Sequence, residues 1–247
     1  MLMSGKVAIV TGAGNEDGIG FATARLLAEH GGRIALVDID GDGVRDLAKK
    51  LGKNAMALQA DITDFDACQG LVGEISSAWG KPGVLVHCAG VVQARKILEV
   101  SEADYNLMMG VNVRGTLHMS QAVIPQMTAG DSIICIASVS GQRGAGLMGG
   151  PHYAASKGAV LALMKSMARE LGPTGIRVNA VNPGVISTAM NANAFDEATR
   201  TSITNAIPMR RFGKPADVAG ACLFLSSDLS SYMTGGCIDI NGGMHIF

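Results

Sequence analysis

Tyr153-Ala-Ala-Ser-Lys157 places a phenol and an ammonium one helical turn apart. On a helix, both would project from the same face. A free tyrosine, with a pKa of about 10, is no base near neutral pH. A neighbouring lysine cation favours the phenolate, so the spacing predicts a lowered phenol pKa. Such a pair can pass a proton to or from an alcohol oxygen. An ordinary amphipathic helix with a half-buried tyrosine carries the same spacing, so the pair needs support from the rest of the chain.

A second centre lies near the N-terminus. Val7-Ala8-Ile9-Val10-Thr11 reads as a strand and runs into Gly12-Ala13-Gly14-Asn15-Glu16-Asp17-Gly18-Ile19-Gly20, with a helical pattern following at once. Strand, glycine loop and helix in this order form the setting of a dinucleotide site. Glycines let the backbone approach a pyrophosphate, and the helix N-terminus offers free N–H groups and a positive dipole end. Asp38 closes the second strand candidate. An acid there can accept hydrogen bonds from the adenosine ribose hydroxyls and repels a 2′-phosphate. Asp40, Glu16 and Asp17 add like charge, and no Arg or Lys stands in the loop or just after Asp38. Each unscreened like-charge pair at ~4 Å costs about 1 kcal/mol even in water. The expected cofactor is therefore NAD (NADH) rather than NADP.

These centres need a scaffold. Strand candidates are Val7–Thr11, Arg33–Asp38, Ala55–Ala60, Val84–Cys88, Ser132–Ala137, Arg177–Val181 and Cys237–Ile240. Helical patterns lie between them near 19–30, 42–51, 64–79, 102–127, 152–171 and 215–226. Several strands are apolar without alternation, as strands buried on both faces are. Repeated β-α-β units imply an α/β fold: a single Rossmann-type doubly wound domain over 1–247, with a seven-stranded parallel sheet flanked by helices. The irregular stretch of about 184–213 interrupts the alternation and is read as a substrate loop.

Composition narrows the function classes. The 247 residues are 48% hydrophobic and 17% charged, enough for one large core. A formal net charge of −1 gives no global field to attract nucleic acid or an anionic membrane, and 4% aromatics disfavour a base-stacking surface. The five cysteines form no C-x-x-C pair, no metal site is expected, and Cys88, Cys135 and Cys237 read as buried thiols. Met1–Lys6 leads straight into the first strand without a cleavable apolar region, so the expected location is cytoplasmic.

Taken together, the motifs resemble the short-chain dehydrogenases/reductases along nearly the whole chain. The resemblance is carried by Thr11-Gly12 through Gly18-Ile19-Gly20, Asp61-Ile62, His87-Cys88-Ala89-Gly90, Val111-Asn112-Val113, Ala137-Ser138-Val139-Ser140, Tyr153 with Lys157, Asn182-Pro183-Gly184-Val185-Ile186-Ser187-Thr188, Ile207 to Gly213, and Asn241-Gly242-Gly243. Two features depart from the family pattern. The glycine loop has five residues between Gly12 and Gly18 where three are usual, and His87-Cys88 replaces two asparagines. The second departure removes side-chain bonds that hold the central strands, and His87 reads as a structural histidine.

The resemblance implies an NAD-dependent oxidoreductase interconverting a secondary alcohol and a ketone through Asn112, Ser138, Tyr153 and Lys157. Tyr153 would be the acid or base, and Lys157 would lower its pKa and bind the nicotinamide ribose. Ser138 would hold the substrate oxygen, and Asn112 a water linking Lys157 to solvent. Cofactor contacts would come from Gly12, Asn15, Gly18 and Ile19, from Asp38 and Ile39, and from Asp61 and Ile62 beside the adenine. Ala89, Gly90, Asn112, Tyr153 and Lys157 would line the nicotinamide side, with Pro183, Gly184, Ile186 and Thr188 at the carboxamide. A 3-oxoacyl-carrier-protein reductase is the alternative enzyme, disfavoured by Asp38. A non-catalytic dinucleotide sensor is the alternative class, disfavoured by the intact Ser138, Tyr153 and Lys157. Pocket walls are expected at Val91–Ala94, Ser140–His152 and Val185–Ile207, suiting a small alcohol or ketone, or a hydroxy acid or sugar derivative if Arg143 faces inward. The resemblance also implies a homotetramer through the helices near 102–127 and 152–171. Val160, Leu161, Leu163, Met164, Met167 and Ala168 read as an apolar girth wider than one ~100° core stripe.

Overall fold

The computed structural model describes residues 1–145, 149–188 and 195–246. Seven described strands form one parallel sheet: β1 (Val7–Thr11), β2 (Arg33–Asp38), β3 (Ala55–Gln59), β4 (Val84–His87), β5 (Ser132–Ile136), β6 (Arg177–Pro183) and β7 (Cys237–Ile240), in the order β3-β2-β1-β4-β5-β6-β7. Every residue of β1, β4, β5 and β6 is buried, which explains why apolar residues dominate β1, β4 and β5, while β6 also buries Arg177, Asn179 and Asn182. The helices are α1 (Ile19–Glu29), α2 (Gly41–Leu51), α3 (Phe65–Trp79), α4 (Glu102–Met108), α5 (Gly115–Val123), α6 (Ser140–Arg143), α7 (Pro151–Leu171), α8 (Glu197–Ala206) and α9 (Pro215–Ser226). One apolar layer, with Leu27, Val44 and Val218, lies under α1, α2 and α9; the other, with Leu71, Met119 and Met164, lies under α3, α5 and α7. No described helix is long and apolar enough to cross a membrane.

Strand order reverses between β1 and β4, and the carboxyl ends of these two strands open a crevice there. Glycines let the crevice close tightly. Gly12 has φ +67°, and a Cβ on it would lie 2.7 Å from the Ala89 nitrogen. A Cβ on Gly20 would collide with the Gly12 carbonyl oxygen, so the start of α1 sits hard against the end of β1.

The predicted helix over 102–127 is divided. Between α4 and α5 the backbone forms a π-helical turn over Met109–Arg114, and the segment ends in a 3₁₀ turn at Ile124–Gln126. A single inserted residue changes the hydrogen-bond register without disturbing the apolar pattern, and such bulges cluster at functional sites. The stretch of about 184–213 contains a helix, α8, whose N-terminus is capped by Asp196 accepting from Thr199 N at 2.8 Å. Residues 189–194 of that stretch, and 146–148 of the expected pocket wall, lie outside the described residues. β6 runs on to Pro183 because Asn182 and Pro183 pair with Asp239 and Ile240 of β7.

The girth of α7 is covered by its own chain. Val160, Leu161, Met164, Met167 and Ala168 are all buried here, so they do not signal a subunit contact; Leu163 alone of that group is half-buried. β6, α6 and the π turn at Met109–Arg114 meet this helix on different sides, which widens the buried arc beyond a single stripe.

Candidate active site

α7 begins with Pro151 at its first position, where a missing N–H costs nothing and φ is already helical. This start puts Tyr153 and Lys157 on the turn facing the end of β5. Ser138 follows β5, and its Oγ accepts from Ser140 N at 3.0 Å, which leaves its proton to point elsewhere. Its partner there is the Tyr153 side chain, to which it is hydrogen-bonded. Lys157 is buried and donates from Nζ to the Ile136 carbonyl at 2.9 Å.

The phenol is displaced opposite to the direction expected from the Tyr–Lys spacing. Burial raises the Tyr153 pKa above its ordinary value, and the Ser138 hydrogen bond offsets only part of that rise. Burial also pushes Lys157 down to about 8. Two groups each disfavoured in their charged forms leave the phenol protonated. A further positive charge beside them is what would favour phenolate.

Asn112 sits on the π turn and spends its side chain on loop and helix. Oδ1 accepts from Val91 N at 2.8 Å, while Nδ2 donates to Val91 O at 3.0 Å and to Ser156 Oγ at 2.9 Å. Ser156 in turn donates to the Tyr153 carbonyl at 2.8 Å. Asn112 and Lys157 flank Gly90, where a Cβ would be 3.1 Å from Asn112 Oδ1 and 3.3 Å from Lys157 Nζ. The predicted Asn112, Ser138, Tyr153 and Lys157 thus come together, with Asn112 bracing the surrounding backbone.

Ser138, Tyr153 and Lys157 open on a cleft of about 600 Å³. Its lining includes the predicted Ile19, Gly90, Pro183, Gly184, Ile186 and Thr188, together with Arg143, Phe195 and Met244. Gly213 fixes the 185–187 side, donating to the Val185 carbonyl at 2.9 Å and accepting from Ser187 N at 2.8 Å. Cys88 also lines this cleft as a half-buried residue whose thiol is itself buried, and that burial pushes its pKa up; Cys135 is buried too, as expected, while Cys237 is half-buried.

The remaining predicted cofactor residues lie along the sheet edge beyond the cleft. Asp38 accepts from Gly14 N at 2.8 Å and from Asp40 N at 3.1 Å, which ties β2 to the glycine loop. Ile39 is exposed beside it. Ala60 N donates to the Asp38 carbonyl at 2.9 Å, which brings Asp61 and Ile62 alongside. Asp61 accepts from Thr63 N and Oγ1, both at 2.8 Å, while Ile62 is buried against Gly115. The longer loop tip closes on itself: Gly18 N donates to Asn15 O at 3.0 Å, and Asp17 N to Asn15 Oδ1 at 2.9 Å. Lys50 of α2 pairs with Glu16 at 2.6 Å. Gly18 starts α1 with no side chain capping it, so the first N–H groups of that helix face the crevice uncovered. A dinucleotide fits this set of residues: an uncapped helix start, a glycine cradle that any Cβ would obstruct, and a carboxylate at the ribose end.

His87 compensates for one departure. Thr11 Oγ1 accepts from Ala89 N at 3.1 Å and is hydrogen-bonded to His87 Nδ1 at 3.1 Å. β1 and β4 are thereby cross-linked through an imidazole. Burial, with the Lys157 charge adding to it, pushes His87 down to about 3. Two further supports adjoin Tyr153. Gly149 is needed because a Cβ there would come 2.5 Å from the Tyr153 ring. His152 is buried and pairs through Nε2 with Gln93 Oε1 at 3.1 Å. Their only sequence signal is proximity to Tyr153.

Comparison with known proteins agrees with this geometry. A family model described as enoyl-(acyl carrier protein) reductase matches residues 12–245. An uncharacterized short-chain type dehydrogenase/reductase of Sinorhizobium fredii is 45% identical over the full length of both chains. The 3-oxoacyl-[acyl-carrier-protein] reductase of Thermotoga maritima is 37% identical, again over the full length of both. Among solved structures, the short-chain dehydrogenase/reductase described as glucose/ribitol dehydrogenase from Brucella melitensis superposes with a TM-score of 0.93 at 31% identity, covering 100% of this chain and 99% of that one.

Proposed function

This chain belongs to the short-chain dehydrogenase/reductase family and is an oxidoreductase, and we propose that it interconverts a secondary alcohol and a ketone with NAD. The observation that carries the reading is the convergence of Ser138, Tyr153 and Lys157 on one cleft beside the glycine loop. A nicotinamide dinucleotide bound there supplies the centre that takes or gives the hydride. Ser138 donates to the substrate oxygen and fixes its distance. As the carbinol C–H bond gives up its hydride, the O–H proton passes to the Tyr153 oxygen and the C=O bond forms; in the reverse direction Tyr153 returns that proton. Tyr153 must be phenolate to act as base, and with an oxidised nicotinamide held beside it the added positive charge would offset the effect of burial. Lys157 adds to that charge and binds the ribose. Asn112 positions Val91 and, through Ser156, the first turn of α7.

Gly12, Asn15, Gly18 and Ile19 hold the pyrophosphate, Asp38 and Ile39 the adenosine ribose, and Asp61 and Ile62 the adenine. Ala89, Gly90, Pro183, Gly184, Ile186 and Thr188 hold the nicotinamide end. Asp38, already anchored by two backbone N–H groups, excludes a 2′-phosphate. The likeness to the Thermotoga reductase favours a second reading, reduction of a 3-oxoacyl thioester. The proposed setting is a cytoplasmic homotetramer, with exposed Tyr105, Leu107 and Leu117 on α4 and α5 as its apolar contact. A panel of alcohols and ketones followed by NADH absorbance tests the function. Turnover with NAD supports it, and no turnover of any alcohol or ketone with either dinucleotide contradicts it.

A further inference from the structure

Of the described residues lining the cleft, Arg143 and Lys157 carry charge, and both are cations. No carboxylate faces them within it. Lys157 is engaged with the Ile136 carbonyl at the Tyr153 end. Arg143 is engaged only through Nη1, which donates to the Met244 carbonyl at 3.0 Å, and it has no carboxylate partner among the described residues. A guanidinium has five donors in a rigid fork. One bond to a carbonyl leaves the Nε–Nη2 edge open, and that edge matches a carboxylate bidentately.

The backbone below Arg143 is fixed. Its N–H donates to the Val139 carbonyl at 3.0 Å, and Gly144, at φ +87°, ends the helix directly after it. α6 packs so closely on α7 that a Cβ on Gly141 would be 2.8 Å from the Gly158 nitrogen. Arg143 therefore rides on the same rigid turn as Ser138, clamped to the helix that carries Tyr153. Val92, Val139, Val185, Phe195 and Ile203 make the walls between apolar.

We infer that Arg143 is a specificity-determining residue that pairs with a substrate carboxylate, and that the substrate is a hydroxy acid or its oxo acid. The inference rests on the alcohol–ketone reading above and narrows it. Such a molecule would place its hydroxyl on Ser138 and Tyr153, its carbon chain on the apolar walls and its anion on Arg143.

The test uses the full-length protein with NAD and a series of secondary hydroxy acids, from lactate through 3-hydroxybutyrate to longer chains, each beside its methyl ester. Arg143 is exposed at the cleft, so one bidentate pair there predicts an acid-over-ester preference in kcat/KM of about 2- to 10-fold for the best-fitting length. Arg143→Met should shrink that ratio to near unity, mainly through KM, and Arg143→Lys should restore part of it. A purely structural tie to Met244 would lower both substrates alike and leave the ratio unmoved. Calorimetric binding of butyrate and hexanoate to the protein with NADH, in wild type and Arg143→Met, needs no turnover. Arg143-dependent carboxylate binding without alcohol oxidation would support the carboxylate site while removing the alcohol–ketone reading. Alcohol oxidation with equal rates on acids and esters, and no carboxylate binding, would overturn the inference and leave that reading intact. Selective turnover of the coenzyme A thioester, with free acids poor, would also overturn it.

Discussion

The His87 imidazole is held neutral in the folded protein because burial disfavours its charged form, pushing it down to about 3 from an ordinary 6.5. Its folded pKa lies below its unfolded one, so the stability it permits is present above about 6.5 and is lost as pH falls toward 3. Each unit of such a displacement is worth about 1.4 kcal/mol. His87→Asn should therefore flatten the acid side of the stability profile; equal slopes of urea midpoint against pH over that range, in wild type and variant, would contradict this. Asp38 holds Gly14 and Asp40 and stands where the adenosine ribose is proposed to bind, so Asp38→Ala should weaken dinucleotide binding in general and narrow the NADH-over-NADPH gap in particular. Fluorescence titration of both cofactors separates the two effects. Equal or tighter NADPH binding by the unmodified protein would remove the NAD assignment. Residue types and spacing singled out Tyr153, Lys157 and Asp38, the family resemblance added Ser138, and the structure brings Ser138, Tyr153 and Lys157 onto one cleft. The direction of the Tyr153 displacement was not legible: it depends on how deeply the ring is buried, which spacing does not encode.

At the scale of elements, the glycine loop and α1 act as one unit. Gly20→Ala would force its methyl into the Gly12 carbonyl and push α1 off the end of β1. Overpacking of this kind costs about 1–3 kcal/mol. It should also spoil the uncapped helix start, so we expect a lower melting temperature and at least ~10-fold weaker NADH binding. Unchanged values for both would contradict the close packing described here. All seven strands were legible from their apolar, β-branched runs, with ends displaced by a residue or two. The π turn at Met109–Arg114 was not, since Asn112, Thr116 and Ser120 keep helical spacing on either register. α8 was hidden by a polar sequence with no buried residue in it, which offers no amphipathic pattern to read.

For the whole molecule, the apolar girth of α7 gives no evidence of assembly once its own sheet, α6 and the π turn cover it. The case for a tetramer moves to the exposed Tyr105, Leu107 and Leu117, which border the π turn that carries Asn112. Closed two-fold contacts are the common way to bury such a surface. Light scattering at micromolar concentration should give a mass several times 25.4 kDa, and a stable, fully active monomer would exclude the assembly. Proton transfer at Tyr153 is the claim on which the function of the entire chain depends. Tyr153→Phe removes one hydroxyl from the cleft and leaves the glycine loop, Asp38 and Lys157 in place. Its turnover of the best alcohol and its NADH affinity, measured on the same preparation, are the direct test. Turnover should fall by at least ~100-fold while NADH affinity stays within about 3-fold; near-normal turnover would contradict a proton relay through Tyr153.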